Sequence, residues 1–270
     1  MSQRRRLDSE LVRRKLARSR EQAAQLIEAG RVTIGGRPAS KAATQVDTAA
    51  PIVVAEAPEG PDYVSRGAHK LIGALDVFTD LDVTGRRCLD AGASTGGFTD
   101  VLLRRGAAHV LAVDVGYGQL AWSLRTDERV TVMERVNVRD LTPEMVGEPP
   151  TLVVGDLSFI SLRLVLPALT ACLAEGGELV MLVKPQFEVG KERVGAGGVV
   201  RDPELRAEAV RDAAAAAEKL GLTVKGVTAS PLPGPSGNVE YLIRLGKGSG
   251  HEAVADVAAA VARAVEEGPR

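Results

Sequence analysis

The chain has 270 residues, enough for one large domain or for an ordinary domain with a small one attached. Hydrophobic residues make up 45% of the sequence and charged residues 26%, a globular composition that excludes a disordered or fibrous protein. The only cysteines, Cys88 and Cys172, exclude a disulfide framework and a C-x-x-C metal or redox site. This cysteine usage fits a reducing compartment.

The sequence shows neither a secretory signal nor a membrane span. The basic residues at 4–6 are not followed by the apolar segment that a signal peptide requires. No segment reaches the roughly 18 to 20 unbroken apolar residues of a membrane helix. We therefore expect a soluble, cytoplasmic protein with no membrane partner.

Charge is distributed unevenly along the chain, although the formal net charge is only -1. Residues 1–46 contain 11 Lys and Arg against four acidic residues, a net charge of +7. The remainder contains 23 basic and 31 acidic residues, a net charge of -8. A basic segment joined to an acidic body predicts a polyanion-binding module attached to a second function.

The basic segment predicts two helices followed by a hairpin. Leu7 and Leu11 recur at helical spacing, and Ser19 with Gln22 three residues later is a typical start for a second helix, which Gly30 is placed to end. Strands are predicted at 31–34 and 51–54, with a Gly-Gly turn after the first.

This segment resembles the S4-like RNA-binding domain in LDSELVRRKLARSREQAAQLIEAGRVTIGG, from residue 7, and in Lys41. The resemblance implies a small α+β domain whose Arg-rich helix pair grips the RNA backbone. Arg14 and Arg18 are predicted to share one helix face, with an ordinary solvated face as the alternative. The residues expected to bind RNA here are Arg4, Arg6, Arg14, Arg18, Arg20 and Lys41.

The Pro-rich, acidic segment AEAPEGP at 55–61 is typical of a linker. We predict an S4-like domain over residues 1–60, a linker over 61–64 and a second domain over 65–270. In the second domain strands and helices alternate, which favours an α/β fold with an open, mostly parallel sheet covered on both faces. Strands are predicted near 86–90, 108–114, 130–133, 151–155, 178–184, 222–228 and 239–245, and helices near 98–105, 118–124, 160–174, 203–220 and 252–266.

A small-residue loop follows the first of these strands, in CLDAGASTGGF from residue 88. Such a loop allows backbone N–H groups to approach a cofactor closely. A dinucleotide fingerprint would have its second Gly at Ser94, so the NAD interpretation is disfavoured. The pattern D-x-G-x-S-T-G-G resembles instead the first motif of class I S-adenosylmethionine (SAM) methyltransferases.

That resemblance implies a Rossmann-like fold with a seven-stranded sheet and SAM as the cofactor. It places Asp114 at the ribose diol and both Glu134 and Asn137 at the adenine. The residues expected to bind the cofactor are Asp90, Gly92, Ala93, Ser94, Thr95, Gly96, Gly97, Phe98, Asp114, Glu134, Asn137 and Asp156.

Polar residues also follow two later strands, Asp156 in DLSF and Lys184 in KPQF. If the strands are neighbours these two side chains lie side by side, either as a structural ion pair or as part of a site. The segment DLSF is also similar to the D-P-P-[FY] motif of amino-group methyltransferases, without its prolines. In chain order, however, Lys70, Asp156, Lys184 and Glu240 resemble the Lys-Asp-Lys-Glu tetrad of FtsJ-like ribose 2'-O-methyltransferases.

The tetrad resemblance implies that Lys184 acts at the ribose hydroxyl, with Asp156 and Glu240 orienting it and Lys70 completing the network. Two roles of Lys184 stay open here, a base if its amine is neutral and a stabiliser of the developing alkoxide if it stays charged. No metal is expected. Phe159 is predicted to stack on a displaced target base, with a core position as the alternative. The residues expected to guide RNA to this site are Arg66, Arg135, Arg139 and Lys191.

Taken together, the chain resembles the TlyA (hemolysin A) family of rRNA methyltransferases through VSRGAHKL, CLDAGASTGGFTD, DVGYGQLAW, DLSFISL, LVKPQFEVGK and ASPLPGPSGNVEY. The resemblance implies 2'-O-methylation of cytidine in 16S and 23S rRNA within ribosomal subunits, by a monomer, and susceptibility to capreomycin and viomycin. Two alternatives remain open at this point, a membrane-active hemolysin and a non-catalytic RNA-binding protein.

Overall fold

The chain divides into two compact units, Met1–Asp62 and Tyr63–Arg270. The computed structural model describes residues 4–28, 30–39, 41–55, 63–234 and 236–269, without the side chains of residues 25 and 28. Most of the segment predicted as a linker, residues 56–62, lies outside the described residues.

The amino-terminal unit combines two helices with two small antiparallel sheets. Strand β2 lies between β3 and β5, and β1 pairs with β4. The elements are β1 (Arg4–Arg6), α1 (Leu7–Arg13), α2 (Arg20–Glu28), β2 (Val32–Ile34), β3 (Arg37–Pro38), β4 (Gln45–Asp47) and β5 (Ile52–Val54). The buried core contains Leu7, Leu11, Ala23, Ile27, Val32 and Val46.

The predicted turns and caps of this unit are present. The Ser19 hydroxyl accepts the backbone N–H of Gln22 at 3.1 Å, directly before α2 begins. Gly30 follows α2 with φ +70°, and Gly35 and Gly36 have φ +56° and +77° between β2 and β3. Two successive positive φ values are the geometry of the tight hairpin turn that Gly-Gly favours.

The expectation that Arg14 and Arg18 share one helix face is wrong. Helix α1 ends at Arg13 and α2 does not begin until Arg20, so both residues lie in the connection between helices. Lys15 has φ +60°, a left-handed conformation that cannot continue a helix.

The carboxyl-terminal unit has the predicted seven-stranded, mostly parallel sheet, in the order β11-β12-β10-β9-β6-β7-β8, with β12 antiparallel to both neighbours. Apolar side chains are buried on both faces of this sheet. The elements are α3 (Ala68–Val77), β6 (Arg87–Ala91), α4 (Gly97–Arg104), β7 (His109–Asp114), α5 (Trp122–Arg125), β8 (Val130–Glu134), α6 (Pro143–Val146), β9 (Leu152–Gly155), α7 (Leu162–Cys172), β10 (Glu178–Val183), α8 (Pro185–Glu188), α9 (Pro203–Lys219), β11 (Leu222–Ala229), β12 (Tyr241–Lys247) and α10 (Val257–Glu267).

Two of the predicted helices begin later than expected. The helix predicted from residue 118 begins at Trp122, because Gly118 has φ +68° and interrupts helical geometry. The helix predicted from residue 252 begins at Val257, where the Asp256 side chain accepts the backbone N–H of Ala259 at 3.0 Å. Asp256 therefore acts as the N-cap.

Candidate active site

The small-residue loop after β6 is a tight turn against the end of β9. Gly92 has φ +83°, and a Cβ atom there would lie 2.8 Å from the backbone oxygen of Asp156. Gly96 has φ +99° and is the N-cap of α4. Because both positions require the absence of a side chain, the loop backbone comes close to the carboxyl edge of the sheet.

A cavity opens between this loop and the ends of β7 and β8. Asp114 lies at its rim, where its Oδ2 accepts the backbone N–H of Ser94 at 2.8 Å and its Oδ1 accepts that of Gly116 at 2.6 Å. The lining residues are Ala93, Ser94, Ala112, Asp114, Gly116, Gln119, Leu120, Val132 and Glu134. The cavity thus combines an apolar floor with two carboxylates, a suitable lining for a planar base and a ribose diol.

Glu134, at the end of β8, is fixed from two directions. Its Oε1 accepts the backbone N–H of Gly118 at 2.8 Å and forms an ion pair with Arg125. The Arg125 guanidinium holds the pKa of Glu134 below its ordinary value. The carboxylate is therefore ionised and rigidly held at the cavity wall.

The cavity contains only part of the predicted cofactor set. Ala93, Ser94, Asp114 and Glu134 line it, whereas the side chain of Asn137 instead accepts the backbone N–H of Arg139 at 3.1 Å. Phe98 is buried in the core on one face of the sheet, so its side chain does not line the cavity and its contact with the cofactor stays a prediction. The predicted residues that do not line the cavity are Asp90, Gly92, Thr95, Gly96, Gly97, Phe98, Asn137 and Asp156.

Three lining residues that the sequence interpretation missed belong to one segment, namely Gly116, Gln119 and Leu120. They follow Asp114 in the segment DVGYGQLAW, which the sequence interpretation used only as a family signature. The signal that could have found them is the pair of glycines, Gly116 and Gly118, shortly after Asp114. Such a turn allows the chain to fold back over the cavity.

Asp90 is the most deeply buried carboxyl group of the loop region. Its Oδ2 accepts the Thr99 hydroxyl at 2.7 Å, while its Oδ1 has no partner among the described residues. Burial raises the pKa of Asp90 to about 7. Asp90 therefore stabilises the start of α4 through Thr99 and does not line the cavity.

Lys70, Asp156, Lys184 and Glu240 come together as the sequence predicts and form a continuous chain of ion pairs. Strands β9 and β10 are parallel neighbours, so Asp156 and Lys184 follow adjacent strand ends. Lys184 Nζ lies 2.6 Å from Asp156 Oδ1, and Lys70 Nζ lies 3.0 Å from Asp156 Oδ2. Lys70 Nζ also lies 2.7 Å from Glu240 Oε2. We call these four residues the tetrad.

Three members of the tetrad are buried and Asp156 is half-buried, and the four set one another's charge. Lys70, Lys184 and Glu240 are at most 8% exposed. Burial alone would lower the pKa of Lys70, but Asp156 and Glu240 together raise it above its ordinary value. Burial opposes ionisation of Asp156, yet Lys184 and Lys70 hold its pKa below the ordinary value. Lys70 is thus a fixed cation and Asp156 a fixed anion.

Glu240 occupies a different place in the network from the one expected. It contacts Lys70 rather than Lys184, and Gln186 Nε2 approaches its Oε1 at 3.5 Å. A Cβ atom on Gly234 would also collide with this carboxylate. Glu240 is therefore three contacts away from Lys184, with Lys70 and Asp156 between them.

Phe159 lies at the surface, which excludes the alternative of a core position. Its side chain is 91% exposed, and its ring centroid is 5.2 Å from that of Phe187. Its φ of +65° is rare for a bulky side chain and strains the backbone by about 1–3 kcal/mol. The turn after Asp156 therefore presents an aromatic ring to solvent at a cost in backbone energy.

The four basic residues predicted around this site are exposed, but two of them have partners. Arg66 and Lys191 are exposed. The Arg135 guanidinium lies 4.3 Å from the centroid of the Tyr117 ring, and Arg139 Nε lies 3.5 Å from an Asp140 carboxylate oxygen.

The amino-terminal unit uses some of its predicted RNA-binding residues in its own structure. Arg14 donates to Glu10 at 2.8 Å and to the carbonyl oxygens of Ala50 and Thr48 at 2.9 and 2.8 Å. These bonds connect α1 to the turn before β5, so Arg14 has a structural role that the sequence interpretation missed.

Two more cations in this unit are held by one acidic side chain. Arg6 and Arg20 each lie 2.9 Å from Asp8 Oδ2. The Arg6 hydrogen bond is the main cause that holds the pKa of Asp8 well below its ordinary value. Arg4, Arg18 and Lys41 are exposed.

Within the described residues, no group of three or more His, Cys, Asp or Glu side chains has the arrangement of a metal site. No described helix combines the length and the apolarity that a bilayer span requires.

Known proteins match both units. The sequence profile of the FtsJ-like methyltransferases matches residues 63–247, and that of the S4 domain matches residues 5–51. The chain is 61% identical over 271 residues to the 16S/23S rRNA (cytidine-2'-O)-methyltransferase TlyA of Mycobacterium tuberculosis, with 100% of both chains covered. It is 39% identical over 225 residues to Hemolysin A of Brachyspira hyodysenteriae, covering 83% of this chain and 92% of that one.

A solved structure is similar as well. A protein described as a hemolysin from Streptococcus thermophilus superimposes with a TM-score of 0.76 at 40% identity, covering 99% of this chain and 96% of that chain. Identity of this extent shows family membership beyond a shared fold. The chain belongs to the FtsJ-like methyltransferases and, within them, to the TlyA (hemolysin A) family of rRNA methyltransferases that carry an S4 domain.

Proposed function

We propose that the protein transfers a methyl group from SAM to the ribose 2'-hydroxyl of cytidine in 16S and 23S rRNA. The observation that carries the proposal is the buried tetrad, in which Lys184 Nζ lies 2.6 Å from Asp156 beside the cofactor loop. The substrate is proposed from the TlyA relative, whose name states this reaction. A ribosomal substrate also places the reaction in the cytoplasm.

The lining of the cavity supports binding of the adenosine part of SAM at this site. Its floor at Ala112, Leu120 and Val132 is apolar and suits a base, while Asp114 keeps further lone pairs for a diol after accepting two backbone N–H groups. When bound, SAM supplies a methyl group on a positively charged sulfur, ready for attack by an oxygen nucleophile.

In this proposal Lys184 is the group that contacts the ribose hydroxyl. That hydroxyl is a very weak acid, so the enzyme must orient it and accept its proton as the new bond forms. Asp156 fixes the Lys184 amine by one carboxylate oxygen, and Lys70 holds the other oxygen of Asp156. Glu240 fixes Lys70 and is a positioning residue.

RNA recognition is proposed for the exposed cations and for Phe159. Arg66, Arg139 and Lys191 carry positive charge on the surface of the carboxyl-terminal unit. The exposed ring of Phe159, presented by a strained backbone, offers a stacking surface for a base turned out of an rRNA helix. Susceptibility to capreomycin and viomycin, which the family resemblance implies, stays a prediction.

The proposal is tested by measuring transfer of a labelled methyl group from SAM to 30S and 50S subunits that lack the modification. Nucleoside mass spectrometry then identifies the methylated nucleoside. We expect a 2'-O-methylated cytidine that is absent with Lys184→Ala. A methyl group on a base would instead assign the site to amino-group chemistry. Absence of transfer to either subunit, with SAM bound, would contradict the rRNA substrate.

A further inference from the structure

The Lys184 amine has a second close neighbour that the tetrad does not include. Lys184 Nζ donates to the Ser158 hydroxyl at 2.8 Å, in addition to its ion pair with Asp156. Two of the three hydrogen-bonding positions on this nitrogen are thus taken by described residues. The third position, an N–H of the ammonium or the lone pair of the neutral amine, is left for a substrate oxygen.

Ser158 and Lys184 differ in their access to water. Lys184 is only 6% exposed, whereas Ser158 is an exposed residue. Asp156 is also turned toward buried cations, since its second carboxylate oxygen is held by Lys70. The Asp156 side chain is 21% exposed, whereas Ser158 is an exposed residue, so the Ser158 hydroxyl is the more exposed of the two described neighbours of the amine.

The two neighbours of the amine also differ in what they can do with a proton. An ionised carboxylate only accepts hydrogen bonds, so Asp156 accepts an N–H of Lys184 but has no proton to donate to the lone pair of the neutral amine. A hydroxyl accepts from an ammonium and donates to the lone pair of a neutral amine. Ser158 can therefore stay hydrogen-bonded to Lys184 in both protonation states.

The backbone holds Ser158 in place from both sides. Before it, the N–H of Asp156 donates to the carbonyl of Ala91 at 3.1 Å, and the Asp156 carbonyl packs against Gly92. After it, Phe159 has the positive φ that turns the chain outward. Strain of this kind persists where the surrounding structure fixes the backbone, and it clusters at functional sites.

We propose that Ser158 is a positioning residue that carries the proton of the reaction from Lys184 to water. The inference deepens the proposed function and rests on the role given there to Lys184. The ammonium of the Lys184–Asp156 ion pair first gives a proton to Ser158 Oγ, whose own proton passes to water. The neutral amine then takes the hydroxyl proton as the ribose oxygen bonds to the methyl carbon and the carbon–sulfur electron pair stays on sulfur, which restores the ammonium.

The test compares Ser158→Ala and Ser158→Thr in the full chain with unmodified ribosomal subunits. Multiple-turnover rates are measured from pH 6 to 9, with and without added imidazole as an external proton carrier. We expect Ser158→Ala to slow turnover by about 10- to 100-fold, less than the loss of a complete acid–base group. We expect imidazole to restore part of the rate, Ser158→Thr to remain within a few-fold of the parent, and SAM affinity by calorimetry to be unchanged.

Ser161→Ala is the matched control, because the Ser161 hydroxyl lies 2.5 Å from Glu188 and caps α7. Its loss should lower the melting temperature and leave any slower turnover insensitive to imidazole.

Two results would overturn the relay. One is a parental rate for Ser158→Ala at every pH, and the other is an equal loss in Ser158→Ala and Ser158→Thr without imidazole rescue. Lys184→Ala separates this failure from that of the proposed function. Substantial methyl transfer by Lys184→Ala would refute the role of Lys184 itself, whatever Ser158 does.

Discussion

Two buried ion clusters lie at opposite ends of strand β10, and they are built from different cations. The tetrad is at the carboxyl end, where Lys184 follows the strand. The second cluster, which we call the Glu178 cluster, is at the start of the strand, about 20 Å away along an extended chain. It consists of Asp80, Arg86, Glu178, Lys225 and Arg244.

Arginine dominates the Glu178 cluster. Arg244 is 3% exposed and places its Nε 2.8 Å from Glu178 Oε2, with Lys225 Nζ 3.1 Å from the same oxygen. Arg244 also reaches Asp80 at 2.5 Å. Its planar guanidinium keeps its proton at any ordinary pH and forms several directed hydrogen bonds.

The difference shows that a buried charge cluster does not by itself mark an active site. The Glu178 cluster holds strands β10, β11 and β12 together mainly through arginine, whose charge is fixed. The tetrad instead presents a lysine, a group that can exchange its proton, beside the small-residue loop after β6 and an exposed hydroxyl. Substitutions should therefore separate the two clusters, one affecting chemistry and the other stability.

The largest effect is expected at Lys184. Lys184→Ala should lower methyl transfer by about 10²- to 10⁴-fold, because the group that receives the hydroxyl proton is lost. The measurement is single-turnover transfer to unmodified subunits, together with the melting temperature. Lys219→Ala, at the exposed end of α9, is the control and should retain the parental rate. Full activity of Lys184→Arg with an unchanged pH profile would exclude a direct role for the amine.

Glu178→Gln should show the opposite behaviour. Removing this charge leaves Arg244 and Lys225 poorly paired, and breaking a buried pair typically costs about 3–5 kcal/mol of unfolding free energy. Urea unfolding measures this loss, and turnover per folded molecule should stay near parental. Glu204→Gln is the control, since its pair with Arg211 is exposed and worth under about 1 kcal/mol. A stable but inactive Glu178→Gln protein would refute the division between the clusters.

The overall architecture could be predicted because its signals are local. Alternating apolar strands and helices, caps such as Ser19 and turn glycines such as Gly36 specify conformation from neighbouring residues. The predictions were wrong where the local backbone conformation, and not the spacing of side chains, determines where a helix begins or ends. Nothing in the spacing of Arg14 and Arg18 reveals that α1 stops at Arg13.

The proximity of Asp156 and Lys184 could be predicted because strand ends of a parallel sheet meet at one edge, whereas Lys70 and Glu240 were predicted from the family resemblance. The contacts between members of the tetrad could not all be predicted, because the order of residues in the sequence does not specify which side chains touch. Glu240 pairs with Lys70, from the helix α3, and only the folded chain brings the two within 2.7 Å. Ser158 was missed for a related reason, since its role depends on where a strained turn points its hydroxyl.

Asp90 is a third buried acidic site, and it tests how burial without a neighbouring cation changes the protonation of a carboxyl group. Asp90, whose pKa burial raises to about 7, is protonated in the folded chain at a pH where the unfolded chain has lost that proton. Stability should therefore fall as pH rises from about 4 to 7, by at most about 1.4 kcal/mol per pH unit. Asp90→Asn, which keeps an acceptor for Thr99, should remove this slope in urea unfolding without SAM. Identical slopes in both proteins would show that Asp90 is ionised in the fold.

The smallest effect is expected in the amino-terminal unit, where the distinction between functional and structural charges applies to its cations. Lys41 is exposed, whereas Arg14 is held by Glu10 and two backbone carbonyls. Each lysine that contacts a phosphate contributes about 0.7–0.9 to the slope of log affinity against log salt. Lys41→Ala should therefore reduce that slope for subunit binding by about this amount and leave the melting temperature unchanged. Arg14→Ala should instead lower the melting temperature, because α1 loses its connection to the turn before β5. An unchanged salt slope for Lys41→Ala would remove this residue from the proposed RNA-binding set, since a phosphate contact cannot be lost without the release of fewer counterions.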